Sequence, residues 1–343
     1  MNAKTADETQ RWLAGVLEDP LEPGLDIVDA HHHLWDHVEP PYLLDELLAD
    51  TASGHRVTQT VFIECGWGWQ PDAADPALLA VPETAAVAAL AAESERRGGA
   101  VIAGIVGHAD LRLGAAATGR ALDALAEAGQ GRFVGIRHAT ARNRDPGIPN
   151  PRTEPVEFLM GDPAWRAGFA ELARRGLTYD AWLYHPQIPQ LVELARAFPD
   201  ATIVLDHLGG PLGAKSYRDR ADEVLADCRV SLTAAASCPN VSLKLGGIGM
   251  PVLGGLWHRG PRPATSTELV DRWGSHIRWC IDTFGPDRCL FESNFPVDAA
   301  SCSYVVLWNA FKRLSQGYSA TERAALFAGT ARRVYGLGTP AIG

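Results

Sequence analysis

A chain of 343 residues that is 46% hydrophobic and 21% charged has the composition of a folded globular protein, which excludes a disordered or fibrous chain. Its formal charge of −10, from 41 acidic against 31 basic residues without any Lys/Arg block, argues against nucleic acid or an anionic membrane as partner. The six cysteines form no CxxC pair and read as reduced thiols.

In chain order, residues 1–24 form an N-terminal extension whose amphipathic piece, TQRWLAGVL, is expected to pack on the body that follows. The start lacks the continuous apolar stretch of a signal peptide, and no run approaches the roughly 18 apolar residues of a membrane span. A soluble, cytoplasmic protein is therefore expected. From residue 25 to 343, short apolar runs alternate with Ala/Leu/Glu/Arg-rich segments of helical period. The predicted strands are 25–33, 58–66, 101–109, 133–139, 177–183, 202–209, 241–247 and 289–295. Segments 82–99, 118–129, 163–176 and 188–200 carry apolar residues at three- and four-residue steps and predict amphipathic helices. Eight βα repeats without a G-x-G-x-x-G turn predict a single-domain (β/α)₈ TIM barrel rather than an open doubly wound sheet. Segments 34–57, 139–155 and the glycine-rich 246–262 are read as loops over the barrel mouth.

Catalytic groups of such barrels stand at the C-terminal ends of the strands. In VDAHHH, alternation puts His31 and His33 on one face with His32 pointing away, so two imidazoles can chelate one cation. A histidine-rich turn that merely ends a strand is nearly as good a reading. Asp29, by the same alternation, could orient a ligand. His207 ends the sixth strand and could be a third ligand or a proton carrier, with a satisfied core histidine as the alternative; His138 and His185 rank below it. In FESNFPVD the period of two puts Glu292 and Asn294 together, and a carboxylate there could bind metal or act as a base, or pair with Lys244. Glu64 is a further carboxylate and possible metal ligand. Arg137 and Lys244 are candidates for gripping a substrate carboxylate or serving as ion-pair partners. Trp67, Trp69 and Trp257 could wall a ring-shaped substrate or pack their loops onto the barrel.

Read together and in order, VDAHHHLWD, FVGIRH, VLDHLGGP, NVSLKLGG, FESNFPVD and FAGTARRVYGL resemble the amidohydrolase superfamily. The similarity is to its amidohydrolase-related (family 2) branch, which holds sugar-acid lactonases and the lactonase of 2-pyrone-4,6-dicarboxylate. The resemblance implies His31 and His33 as the first-strand HxH, His207 as the sixth-strand histidine, and Asn294 in the place of a water-activating aspartate. Asparagine accepts no proton at neutral pH, so either Glu292 supplies the carboxylate from the same face or the chemistry differs from the common hydrolysis. The implied function is metal-dependent hydrolysis of a small cyclic ester or amide, a carboxylated and hence anionic lactone of sugar-acid or aromatic catabolism. The implied cofactor is a divalent metal, zinc with manganese as alternative, and a metal-independent reaction is the other option. Rival readings are a metal-dependent non-oxidative decarboxylase and a non-catalytic ligand-binding barrel. A homo-oligomer is compatible with either.

Overall fold

The computed structural model describes residues 5–151 and 155–338. All eight predicted strands form: β1 (Asp26–His32), β2 (Arg56–Ile63), β3 (Val101–Gly107), β4 (Phe133–Arg137), β5 (Thr178–Ala181), β6 (Thr202–Leu205), β7 (Val241–Leu245) and β8 (Cys289–Phe291). They lie parallel in the order β1 to β8. The last seam closes just beyond β8, where Asn294 N–H donates to the His31 carbonyl and His33 N–H to the Phe295 carbonyl, each at 2.8 Å. This closure brings the two polar segments, HHH and ESN, side by side.

The helices are α1 (Ala6–Leu13), α2 (Leu44–Thr51), α3 (Val81–Arg97), α4 (Gly114–Ala128), α5 (Pro163–Arg174), α6 (Ile188–Ala197), α7 (Ala221–Ala236), α8 (Ser266–Phe284) and α9 (Tyr304–Leu314). A final helical run follows over Ala320–Val334, with a π-helical turn at Ala325–Gly329. Their starts are specified locally. Thr265 and Glu268 exchange side-chain and backbone bonds in a capping box before α8, and Asp162 caps α5 with Pro163 at its first position. The sequence left α2 inside a loop, because eight residues carry too few apolar repeats to stand out. The helical run Pro76–Arg97, which includes α3, is apolar and long enough to cross a membrane by composition, but Val87, Ala88 and Ala91 are buried in the core of the barrel protein.

Two apolar layers position the site. Ile27, Phe62, Ile105, Tyr179, Leu205, Leu243 and Phe291 face outward into the core beneath the helices. Val28, Ala30, Val61, Ile63, Val106, Val204 and Leu290 meet Tyr335 and Leu337 of the C-terminal segment within the barrel. A break in the β1–β2 register between Asp29 and His32 inserts an extra residue. That bulge separates Asp29 from His31, which alternation had placed on one face. Asp29 instead accepts from Ser293 N–H (2.8 Å) and Tyr304 OH (2.9 Å), tying β1 to the segment after β8.

Predicted strands overran their C-terminal ends, most of all at β6 and β8. His207 (φ 54°), Leu208 (φ 58°) and Asn294 (φ 54°) adopt left-handed backbone, which stops a strand. The expected loop at 139–155 is irregular on both flanks, and positions 152–154 fall outside the described residues.

Burial in the helical layer predicts acid sensitivity. His276 on α8 is 1% exposed, its Nδ1 has no hydrogen bond, and burial pushes its pKa down to about 4. A depressed folded-state pKa gives stability that is present above the unfolded value near 6.5 and lost as pH falls toward 4. Thermal unfolding of His276→Leu should match the parent at pH 7.5 and exceed it by about 2 kcal/mol at pH 5. Equal acid losses in both proteins would contradict this.

Candidate active site

Inward side chains at the upper strand ends converge on a single polar cluster. His31 and His33 from β1, Arg137 from β4, Asp180 from β5, Lys244 from β7, and Asp206, His207 and Glu292 from just past β6 and β8 are all buried. His32 points away beside Phe62, at 6.0 Å between rings.

Glu292 is the hub. Its Oε1 lies 2.6 Å from His207 Nδ1 and its Oε2 2.9 Å from His31 Nδ1. A carboxylate only accepts when ionised, so the bond at Oε1 favours the Nδ1–H tautomer of His207 with its Nε2 as a lone pair, while Oε2 makes no hydrogen bond among the described residues and its contact with His31 is an ion-pair distance compatible with the same tautomer. His33 reaches the same state by another route, since its Nδ1 lies 2.8 Å from the Ile63 carbonyl, which can only accept. His31 Nε2 and His33 Nε2 then face each other at 3.1 Å. Two lone pairs that close call for a proton or a cation between them. Lys244 Nζ can serve Asp180 Oδ2 at 2.6 Å and His31 Nδ1 at 3.1 Å together, and in that arrangement the His31 proton sits on Nε2 and is itself the proton between His31 and His33.

Charge supports the cation. Four buried carboxylates, Glu64, Asp180, Asp206 and Glu292, surround two buried cations, Arg137 and Lys244. Carboxylates outnumber cations here, with Asp29 and Asp298 also buried close by, and His31, His207 and Glu292 offer ligand atoms all within 4.8 Å of one another. Burial, and after it the charges of Lys244 and Arg137, hold the His31 and His33 pKa values well below the usual imidazole range. The neutral imidazole that results is the form that binds metal.

The other predicted residues take different places. Glu64, expected as a ligand, receives Arg137 Nε at 2.8 Å, because β2 ends at Ile63 and its carboxylate turns toward β4. Arg137 is committed as well: its NH1 lies 3.4 Å from His31 Nε2 and 3.6 Å from Asp206 Oδ2. Lys244 is fully buried between Asp180 and Asp206, 2.6 and 3.1 Å away. Burial acts to raise Asp206, but Lys244, His207 and Arg137 beside it hold it below the ordinary carboxylate range. Burial pushes Asp180 up to about 6 even against Lys244.

Asn294 is turned from the histidines, its Nδ2 donating to Asp298 Oδ1 at 2.8 Å, because its left-handed backbone ends the alternation that paired it with Glu292. His138 and His185 accept backbone N–H groups from Leu111 and Leu212. Gly247 packs so closely under His207 that a Cβ would come within 2.7 Å of its ring, and its φ of 66° favours glycine in any case.

Sequence reasoning missed three residues. Asp180 was a lone charge in the apolar run LTYDAWL, at a position where an inward carboxylate can be read from alternation. His108 ends β3 and packs on Trp69 at 4.4 Å, and Trp182 after β5 packs on His207 at 4.9 Å. Trp182 thus brings a ring to the histidine cluster, while Trp69 stays on His108 with its indole N–H donating to Glu83 Oε2 at 2.9 Å. Trp67 donates to Asp36 within the loops, and Trp257 lies in its own loop turn, Trp257–Arg259.

Known proteins repeat this arrangement of chain and fold. The uncharacterized protein y4mH of Sinorhizobium fredii is 33% identical over 331 residues, covering 90% of this chain and 98% of its own. An L-fucono-1,5-lactonase of Burkholderia multivorans is 29% identical over 338 residues, covering 92% and 97%. The crystal structure of an amidohydrolase from Burkholderia multivorans with bound zinc superimposes with a TM-score of 0.70 at 26% identity, covering 91% of this chain and 99% of that one. The amidohydrolase family model matches residues 28–337, and with these relatives it shows that the chain is a hydrolytic enzyme belonging to the amidohydrolase family.

Proposed function

We propose that the enzyme hydrolyses a small lactone with the help of one divalent ion, zinc in preference to manganese, held by His31 and His33. The observation that carries this reading is Glu292, whose two oxygens face Nδ1 of a histidine on each side. When bound, a divalent ion supplies Lewis acidity to a carbonyl. The protein's own groups supply the rest. With the ion bound, Glu292 Oε2, 2.9 Å from His31 Nδ1, would hold His31 in the tautomer that binds metal, while Oε1 holds His207 with its Nε2 lone pair free to take a proton from the attacking water. His207 thereby fills the role that Asn294 cannot.

Arg137 and Lys244 are already paired with carboxylates, so the reading assigns neither to a substrate charge. A lactone ring stacked on Trp182, which packs against His207, fits the reading, and the relatives named L-fucono-1,5-lactonase make sugar lactones the first substrates to try.

The test is zinc titration and lactone hydrolysis, followed in parallel for His31→Ala and His207→Ala. His31→Ala should lose both zinc and hydrolysis, whereas His207→Ala should keep zinc affinity and lose hydrolysis. Equal loss of zinc in the two variants would make His207 a ligand. Carbon dioxide release from an aromatic acid, with no lactone cleaved, would replace hydrolysis by decarboxylation.

A further inference from the structure

A cavity of about 520 Å³ lies beside the barrel mouth, bounded by α1, α2, the segment after β1 and the segment after β8. None of His31, His33, His207, Glu292 or Arg137 lines it. Its volume falls in the range of small-molecule sites, roughly 300–1,000 Å³. Five aromatic rings stand in its walls, those of Trp12, Trp35, Tyr42, Phe295 and Tyr304. The indole N–H groups of Trp12 and Trp35 are bound to the carbonyls of Gly260 and Pro40, which holds both rings in place.

The polar lining has one sign. Asp50, Glu39 and Glu46 contribute carboxylates, His258 is the one basic group, and no Lys or Arg is among the described lining residues. Asp50 is the inner carboxylate. Its Oδ2 accepts from Tyr42 OH at 2.9 Å, which orients the group and leaves Oδ1 without a hydrogen bond in the described structure. Burial, with Asp29 and Glu46 nearby, pushes its pKa up to about 7, and no cationic partner reaches the carboxylate among the described residues.

We propose that this cavity is a second binding site, for a small aromatic amine whose ammonium pairs with Asp50 and whose ring lies among Trp35, Tyr42 and Phe295. Charge complementarity selects the occupant. A cation gains the carboxylate and the faces of the indole rings, a neutral ring gains burial alone, and an anion meets three carboxylates.

The experiment is calorimetric titration of the full chain at pH 8 with phenethylamine, phenethyl alcohol and 3-phenylpropionate. Phenethylamine should bind at least tenfold more tightly than the alcohol, and the propionate should not bind. Asp50→Asn should remove that preference, and Ala49→Trp, which fills the cavity from α2, should abolish binding should the Asn variant fold poorly. His31→Ala should bind the amine as the parent does. Equal binding of amine and alcohol, amine binding untouched by both cavity variants, or its loss in His31→Ala would each overturn the proposal.

Discussion

Glu292→Gln is expected to weaken zinc binding roughly 10- to 100-fold, the usual cost of removing a carboxylate that orients a metal-binding histidine. Hydrolysis should fall further than metal occupancy explains. The reason lies in what an amide can offer. Glutamine keeps one accepting oxygen but places an NH₂ donor against the other imidazole, whose Nδ1 must then accept, moving that ring's proton to Nε2. If His31 is the ring that changes, a metal ligand is lost; if His207 changes, the proton acceptor is lost. Saturating zinc should therefore fail to restore the rate. Nitrogen-15 NMR of the histidines reports the tautomers directly, and parent-like tautomers with a parent-like rate at saturating zinc would remove Glu292 from its assigned role.

Lys244→Met should cost about 3–5 kcal/mol of stability, because it leaves buried carboxylates without their cation. Asp180 and Asp206 lie 2.6 and 3.1 Å from the ammonium, and Tyr335 OH donates to the same Asp180 oxygen at 2.7 Å. The pH dependence has a definite sign. Asp180 is already raised to about 6 by burial, with Lys244 acting to lower it, so losing Lys244 raises it further. A carboxyl raised in the folded state costs stability as pH climbs through its folded value, so the deficit should widen between pH 6 and pH 8. Adding Asp180→Asn should recover part of the loss. A variant as stable as the parent at pH 8 would show that the cluster carries a proton rather than full charges.

The sequence was most readable where strand geometry is regular. The (β/α)₈ order follows from repeated apolar runs, and the inward pair His31/His33 with outward His32 follows from alternation, although a bulge displaces Asp29 from the same logic. Legibility fails where the chain leaves the strands. Glu292 lies one residue past β8, so its bond to His207, 85 positions away in sequence, depends on how two strand ends meet. Asn294 was paired with Glu292 only on the assumption of a longer strand, and its φ of 54° removes that assumption. Lys244, Arg137 and Glu64 were recognised as special residue types, yet their pairings require knowing which strand neighbours which. Asp180 was passed over because one charge in a short apolar run has no motif around it.

If His31 and His33, set by Glu292, gather one divalent ion for lactone hydrolysis, zinc reconstitution measures it most directly. Chelator-stripped protein should hydrolyse a sugar lactone slowly and regain its full rate at one equivalent of zinc, with His31→Ala remaining inactive throughout. Stripped protein that hydrolyses the lactone at the full rate, with zinc adding nothing, would contradict the account.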